Sequence, residues 1–165
     1  MASRLLVLLF VLAALAGCTK RKDEPPPIGP DVEGVIFDAE QGQGFAHRDG
    51  EKAFRATEAD VRRAEAALPK FLAQPLEQAL QTRWPREAER RQKVLAKLPS
   101  YKRQWAGLAT ENKRVLYMNF FCRVHELQQW RTAPVSSCDG GDCYFHVDYD
   151  LDTGAFDNLS INGEG

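Results

Sequence analysis

The hydrophobic pattern changes character several times along the chain. An unbroken apolar stretch runs from Leu5 to Leu15, and residues 19 to 33 then show no periodicity. From Val61 onward, apolar positions recur at three- and four-residue spacing through Ala64, Leu68, Phe71, Leu72, Leu76 and Leu80, while Arg62, Arg63 and Glu65 take the other side. That spacing predicts an amphipathic helix lying on a sheet. Thr57-Glu58-Ala59-Asp60 marks its start, with a threonine cap, an acid three residues on, and acids in the first turn to suit the positive helix end. Pro69 and Pro75 should kink or break it, because each removes an amide donor and clashes with the preceding turn. A second amphipathic stretch runs from about Arg86 to Leu98, with Val94, Leu95 and Leu98 on its buried side and Pro99 ending it.

After Pro99 the period becomes two. Tyr101, Arg103, Trp105 and Gly107 alternate with Lys102, Gln104, Ala106 and Leu108, and Glu111-Asn112-Lys113 makes a polar turn. The next run, Arg114 to Cys122, is apolar on both faces, as a central strand is. Cys143, Phe145, Val147 and Tyr149 face one way in the following run and Tyr144, His146, Asp148 and Asp150 the other. Asp152-Thr153-Gly154 reads as a hairpin turn, and Phe156 to Asn162 returns as the last strand. Val35-Ile36-Phe37 is a candidate first strand, after which Gln41-Gly42-Gln43-Gly44 should interrupt any element. That glycine pair lacks the lysine and hydroxyl of a phosphate loop.

Amphipathic helices followed by an antiparallel meander of about four strands give an α+β domain. At this level residues 55 to 163 resemble the cystatin-like and nuclear-transport-factor-like small domains, in which a helix lies across a curved antiparallel sheet. The cystatin inhibitory signature, Gln-x-Val-x-Gly, is absent. The Phe-Phe-Cys and Gly-Gly-Asp-Cys-Tyr-Phe strands also resemble those of small bacterial envelope proteins, a likeness that supplies no activity.

The opening stretch carries its own signal. Arg4 precedes the apolar run, and Leu15-Ala16-Gly17-Cys18 closes it with small residues and a single cysteine. This order resembles a bacterial lipoprotein signal peptide with its lipobox. The apolar run falls short of the roughly twenty residues that span a bilayer. The resemblance implies that residues 1–17 are removed and that Cys18 becomes the N-terminus, carrying a thioether-linked diacylglycerol and an acylated amine. Thr19 stands where an aspartate would direct retention in the inner membrane, so the outer membrane is the expected address, facing either the periplasm or the cell surface. Residues 18–33, charged and with four prolines, read as the lipidated cysteine and an extended tether. Residues 34–165 are then a single domain. Removing residues 1–17 of the 165 leaves 148, enough to bury roughly two-thirds of the unfolded surface.

Charge narrows the partners. The chain has 22 basic and 23 acidic residues, a net charge of −1, which argues neither for nucleic acid nor for an anionic lipid surface. The distribution is uneven: eight basic residues fall from Arg83 to Arg103 and seven acidic ones from Asp139 to the end. Solvated faces that neutralise one another account for this, and an anionic partner for the basic face is the alternative.

With Cys18 committed to lipid, Cys122, Cys138 and Cys143 remain in an oxidising compartment. A meander places the end of the Arg114 strand beside the start of the Cys143 strand, which favours a Cys122–Cys143 bridge. Cys138 to Cys143 would close a tight six-residue ring. The competing reading uses Cys122-x-x-His125 and Cys143-x-x-His146 as metal ligands or as cysteine–histidine nucleophiles, although an i,i+3 pair on a strand points to opposite faces. Asp148, Asp150 and Asp152 fail the calcium-loop pattern, because the sixth and twelfth positions are Thr153 and Leu159. No Gly-x-Ser-x-Gly elbow is present. Trp105, Tyr117 and Tyr144 are the candidate ligand face, provided they share the uncovered side of the sheet. The expected role is a membrane-tethered binding or interaction module for a protein or small molecule, needing no cofactor, with an envelope enzyme as the alternative.

Overall fold

The computed structural model describes residues 32–76, 85–123 and 129–163. The expected signal peptide, Cys18 and nearly all of the expected tether lie outside the described residues, as do Leu80, Arg83, Trp84 and His125. The fold is α+β. In chain order it comprises β1 (Gly34–Ile36), a single helical turn α1 (Ala39–Gly42), β2 (Lys52–Phe54), α2 (Glu58–Leu72), α3 (Glu87–Lys97), β3 (Lys102–Ala109), β4 (Arg114–Phe121), β5 (Tyr144–Asp150) and β6 (Phe156–Ile161). Among the described residues no helix is long and apolar enough to cross a membrane.

The expected meander is present: β3, β4, β5 and β6 pair antiparallel in sequence order. The sheet is nonetheless mixed and six-stranded. Two short strands share the outer edge of β3, with β1 running parallel opposite Arg103 to Trp105 and β2 antiparallel opposite Gly107 to Ala109. A purely antiparallel sheet was the expectation. β1 falls on the candidate strand at Val35-Ile36-Phe37, but so short a run does not reveal its pairing direction, and β2 carries too few alternating positions to announce itself.

Local rules explain the helices. Thr57 caps α2: its hydroxyl accepts from the Asp60 N–H at 3.1 Å, and the Asp60 carboxylate accepts from the Thr57 N–H at 3.0 Å. The helix passes through Pro69 and ends at Leu72, where the Ala73 N–H donates to the Pro69 carbonyl at 3.0 Å. Pro75 stands just beyond and biases the residue before it away from helical geometry. Helix α2 therefore ends short of Leu76, and Leu80 lies outside the described residues. In place of an interruption at Gln41–Gly44, the chain makes α1, closed by a capping box between Asp38 and Gln41, and a 3-10 turn over Gln43–Phe45.

Both faces of the sheet are covered. On one, Val61, Ala64, Leu68 and Leu72 of α2 and Val94 of α3 pack against Trp105, Leu116, Met118, Phe120, Phe145 and Val147. On the far face, Phe37 and Phe45 lie over Ala106, Leu108, Val115 and Tyr117. Further along it, Trp130 and Val135 cover Phe121. The Gln104 amide holds that last segment, accepting from the Val135 N–H at 2.9 Å and donating to the Ala133 carbonyl at 2.8 Å and to the Trp130 carbonyl. Gly107 leaves room for Phe54: a Cβ there would stand 2.6 Å from the Phe54 ring and 2.7 Å from its carbonyl oxygen. Gly107→Ala is therefore expected to cost about 1–3 kcal/mol as overpacking, read as a lower urea midpoint at unchanged slope.

Most of the basic run is spent inside the molecule. Arg91 donates to the Phe71 carbonyl at 2.8 Å, Arg90 to the Ile161 and Asn162 carbonyls, and Arg103 to the carbonyls of Tyr101 and Leu98 at 2.7 and 2.8 Å. Lys97 pairs with Asp142 at 2.8 Å, and Lys102 pairs with Glu33. The Lys97–Asp142 pair joins the basic run directly to the acidic C-terminal one.

Cys122 and Cys143 form a disulfide, with Cα atoms 5.1 Å apart at the β4–β5 edge, as the meander requires. Cys138 is exposed and unbridged. Replacing both bridged cysteines by serine is expected to cost about 2–4 kcal/mol, measured as the difference in unfolding free energy under non-reducing conditions.

Candidate functional site

The far face of the sheet is not fully sealed. The loop 46–51 runs beside β4 and β5, and between them lies a cavity of about 190 Å³ lined by Phe45, His47, Arg48, Glu51, Leu108, Tyr117, His146, Asp148 and Asn158. A second recess, of about 270 Å³, shares Arg48, Glu51 and Asn158 with it and extends to Lys113 and Asp157.

The loop is fixed by charge. Arg48 donates to Glu51 Oε1 at 2.8 Å and, across one hundred residues of sequence, to Asp148 Oδ2 at 2.7 Å. Glu51 Oε2 also accepts from the His47 and Arg48 N–H groups at 2.9 and 3.3 Å, and the Asn158 amide donates to Asp148 Oδ2 at 2.7 Å. The two carboxylate side chains are only 2% and 4% exposed, whereas the Arg48 side chain is 43% exposed. Charges are rarely buried this deeply unless paired. The hydrogen bond to Asp148 is the largest influence raising Arg48 above its ordinary value, against desolvation by burial.

Aromatic rings complete the wall. Tyr117 stacks on Phe45 with ring centroids 4.7 Å apart and on His146 at 5.2 Å. Burial, reinforced by the charge of Asp148, raises the Tyr117 phenol well above the ordinary tyrosine range, so it stays protonated. Burial also lowers His146; Asp148 opposes this and His47 adds to it. Folded protein thus holds His146 neutral where unfolded chain, titrating near 6.5, takes up a proton. The stability this histidine contributes is complete above about pH 6.5 and is lost as the pH falls toward its depressed folded value. The thermal midpoint is expected to drop between pH 7 and pH 5, and to drop less in His146→Asn.

Of the aromatic residues expected to form one ligand face, Tyr117 and Tyr144 lie on the far face, but Trp105 does not. Its β3 position turns it toward α2, where it is buried and its indole N–H donates to Glu65 Oε1 at 2.9 Å. Tyr144 packs beside Phe121 and Trp130, away from the cavity. The disulfide takes both sulfurs out of the thiolate chemistry considered for Cys122 and Cys143. His125 lies outside the described residues, and His146 faces the cavity rather than a cysteine. Among the described residues no group of three or more His, Cys, Asp and Glu could hold a metal ion. The acids of the calcium-like run part company as well. Asp148 points to Arg48, while Asp150 accepts from the Asp152 and Thr153 N–H groups at 3.0 and 2.8 Å and builds the hairpin.

His47, Arg48 and Glu51 escaped sequence reasoning. A polar run, His-Arg-Asp-Gly-Glu-Lys, stands between Ala46 and Ala53, but nothing in the sequence joins it to Asp148. No family model, curated protein or solved structure matches the chain.

Proposed function

We propose that this chain is a bacterial lipoprotein, anchored through Cys18 to the cell envelope and more specifically to the outer membrane, whose folded domain binds a small ligand in the far-face cavity. The lipobox order around Cys18 supports the anchor. The binding role is carried by one observation: two deeply buried carboxylates share one arginine, its side chain half-exposed, in the wall of a cavity that Tyr117 and His146 also line. Paired charges in a concave site with shifted titratable neighbours are the physical mark of a functional site. A purely structural staple between loop and strand would be better served by apolar residues of the same volume.

The test is a thermal-shift screen of the full chain in detergent against small polar molecules. A ligand at about 100 times its Kd adds roughly 2.7 kcal/mol of stability. The account expects hits whose shift disappears in His47→Ala and in Tyr117→Phe, two variants that leave the Arg48 pairs in place. Hits that shift all three proteins equally would place binding elsewhere.

A further inference from the structure

We infer, on the reading just proposed, that the cavity takes a neutral, hydroxyl-rich guest, a single pyranose ring of a saccharide being the class that fits it. The charges come first. Arg48, Glu51 and Asp148 sum to −1, so an incoming anion is repelled by two carboxylates held beside the guanidinium. A cation gains nothing directly either, since the Glu51 and Asp148 side chains are 2% and 4% exposed and it must displace Arg48 to reach them.

What the cavity offers instead is neutral hydrogen-bonding groups fixed in place. Among the described residues the Tyr117 hydroxyl makes no hydrogen bond, although Tyr117 lines the cavity and is only 8% exposed. It is therefore a donor and acceptor held in position without an internal partner. A neutral His146 imidazole presents one donor and one acceptor. The outer edge of Arg48 is held in plane by its two carboxylates and adds further donors at little entropic cost. Mixed donors and acceptors on rigid planar groups match the hydroxyls of a sugar, each of which both donates and accepts. Phe45 and Leu108 supply an apolar wall for ring C–H groups.

Size agrees. The cavity of about 190 Å³ has room for one ring. The adjoining recess of about 270 Å³, reached past Arg48 and Asn158, has space for a second ring of the same chain.

Three sugars that share one ring and differ in charge decide the matter: glucose, glucosamine and glucuronate, each titrated against the full chain in detergent by saturation-transfer NMR. Glucose is expected to bind at least as tightly as either charged analogue. Its affinity should hold within twofold between about 0.05 and 0.5 M salt, a range over which screening suppresses charge-driven binding. It should also weaken about tenfold or more in Tyr117→Phe, which removes one oxygen and keeps the ring stack, and in His146→Asn. Tighter binding of glucosamine or glucuronate by tenfold, lost in the same variants, overturns the neutral class and leaves the cavity as the site. No binding of any of the three, while screen hits still depend on Tyr117, overturns the saccharide class alone. Binding of glucose undiminished in both variants overturns the cavity and the class together.

Discussion

On the proposed lipid anchor, Cys18→Ala is expected to abolish the whole diacylglycerol and acyl modification, and any protein cleaved without it should move from the membrane pellet to the soluble fraction. The effect is all-or-none for two reasons. Each buried CH₂ contributes about 0.8 kcal/mol, so two or three chains on one residue anchor stably where a single one is marginal. The described part of the chain has no helix that could replace them. On that proposal the cysteine is also where the signal peptide would be processed, so the alanine variant should retain residues 1–17 or be cleaved elsewhere. Fractionation with intact mass spectrometry reads both consequences. A wild-type protein recovered without lipid, or a variant that still carries the lipid mass, would contradict the anchor.

The second large effect lies under α2. Glu65 Oε2 stands 3.2 Å from Arg103 Nε, and its other oxygen accepts from the Trp105 indole. The Arg103 side chain is 2% exposed. It also donates to two carbonyls and lies over the Phe120 ring at 5.5 Å, so it is tied to the sheet whether or not Glu65 is present. Burial pushes the Glu65 carboxyl up, while Arg103 and the Trp105 N–H pull it down. Glu65→Ala removes the counter-ion and strands a buried guanidinium. About 3–5 kcal/mol of stability should be lost, a large part of what a domain of this size possesses. Glu65→Gln keeps an oxygen for Trp105 and should cost less than the alanine. Urea denaturation of the three proteins checks the order. Equal midpoints for alanine and wild type would mean that the pair contributes nothing.

Periodicity was sufficient for the parts of the fold that follow local rules. The Thr57 cap, the β4 run apolar on both faces, the alternation of β5 and the hairpin at Gly154 each depend on neighbours within a few residues. The Cys122–Cys143 bridge followed from strand order alone. Legibility ended where partners are distant. Trp105 alternates with Gln104 as any strand residue does, and only the placement of α2 turns its face into core. Arg48 and Asp148 are separated by most of the domain, and each has an ordinary local explanation, one in a polar loop and the other on a solvated strand face. The candidate site is made of such residues, which is why it had to be seen in three dimensions. The basic run misled in the opposite sense: Arg90, Arg91 and Arg103 look like a surface for an anionic partner and are occupied by backbone carbonyls.

The most direct test of the central claim is amide chemical-shift mapping of the full chain in detergent with the strongest hit of the thermal-shift screen. Binding in the far-face cavity predicts the largest changes at residues 45–51, 117, 146–148 and 158, with α2 and α3 unmoved. Changes centred on the helices, or spread evenly over the sheet, would show that the Arg48 cavity is not where this protein binds.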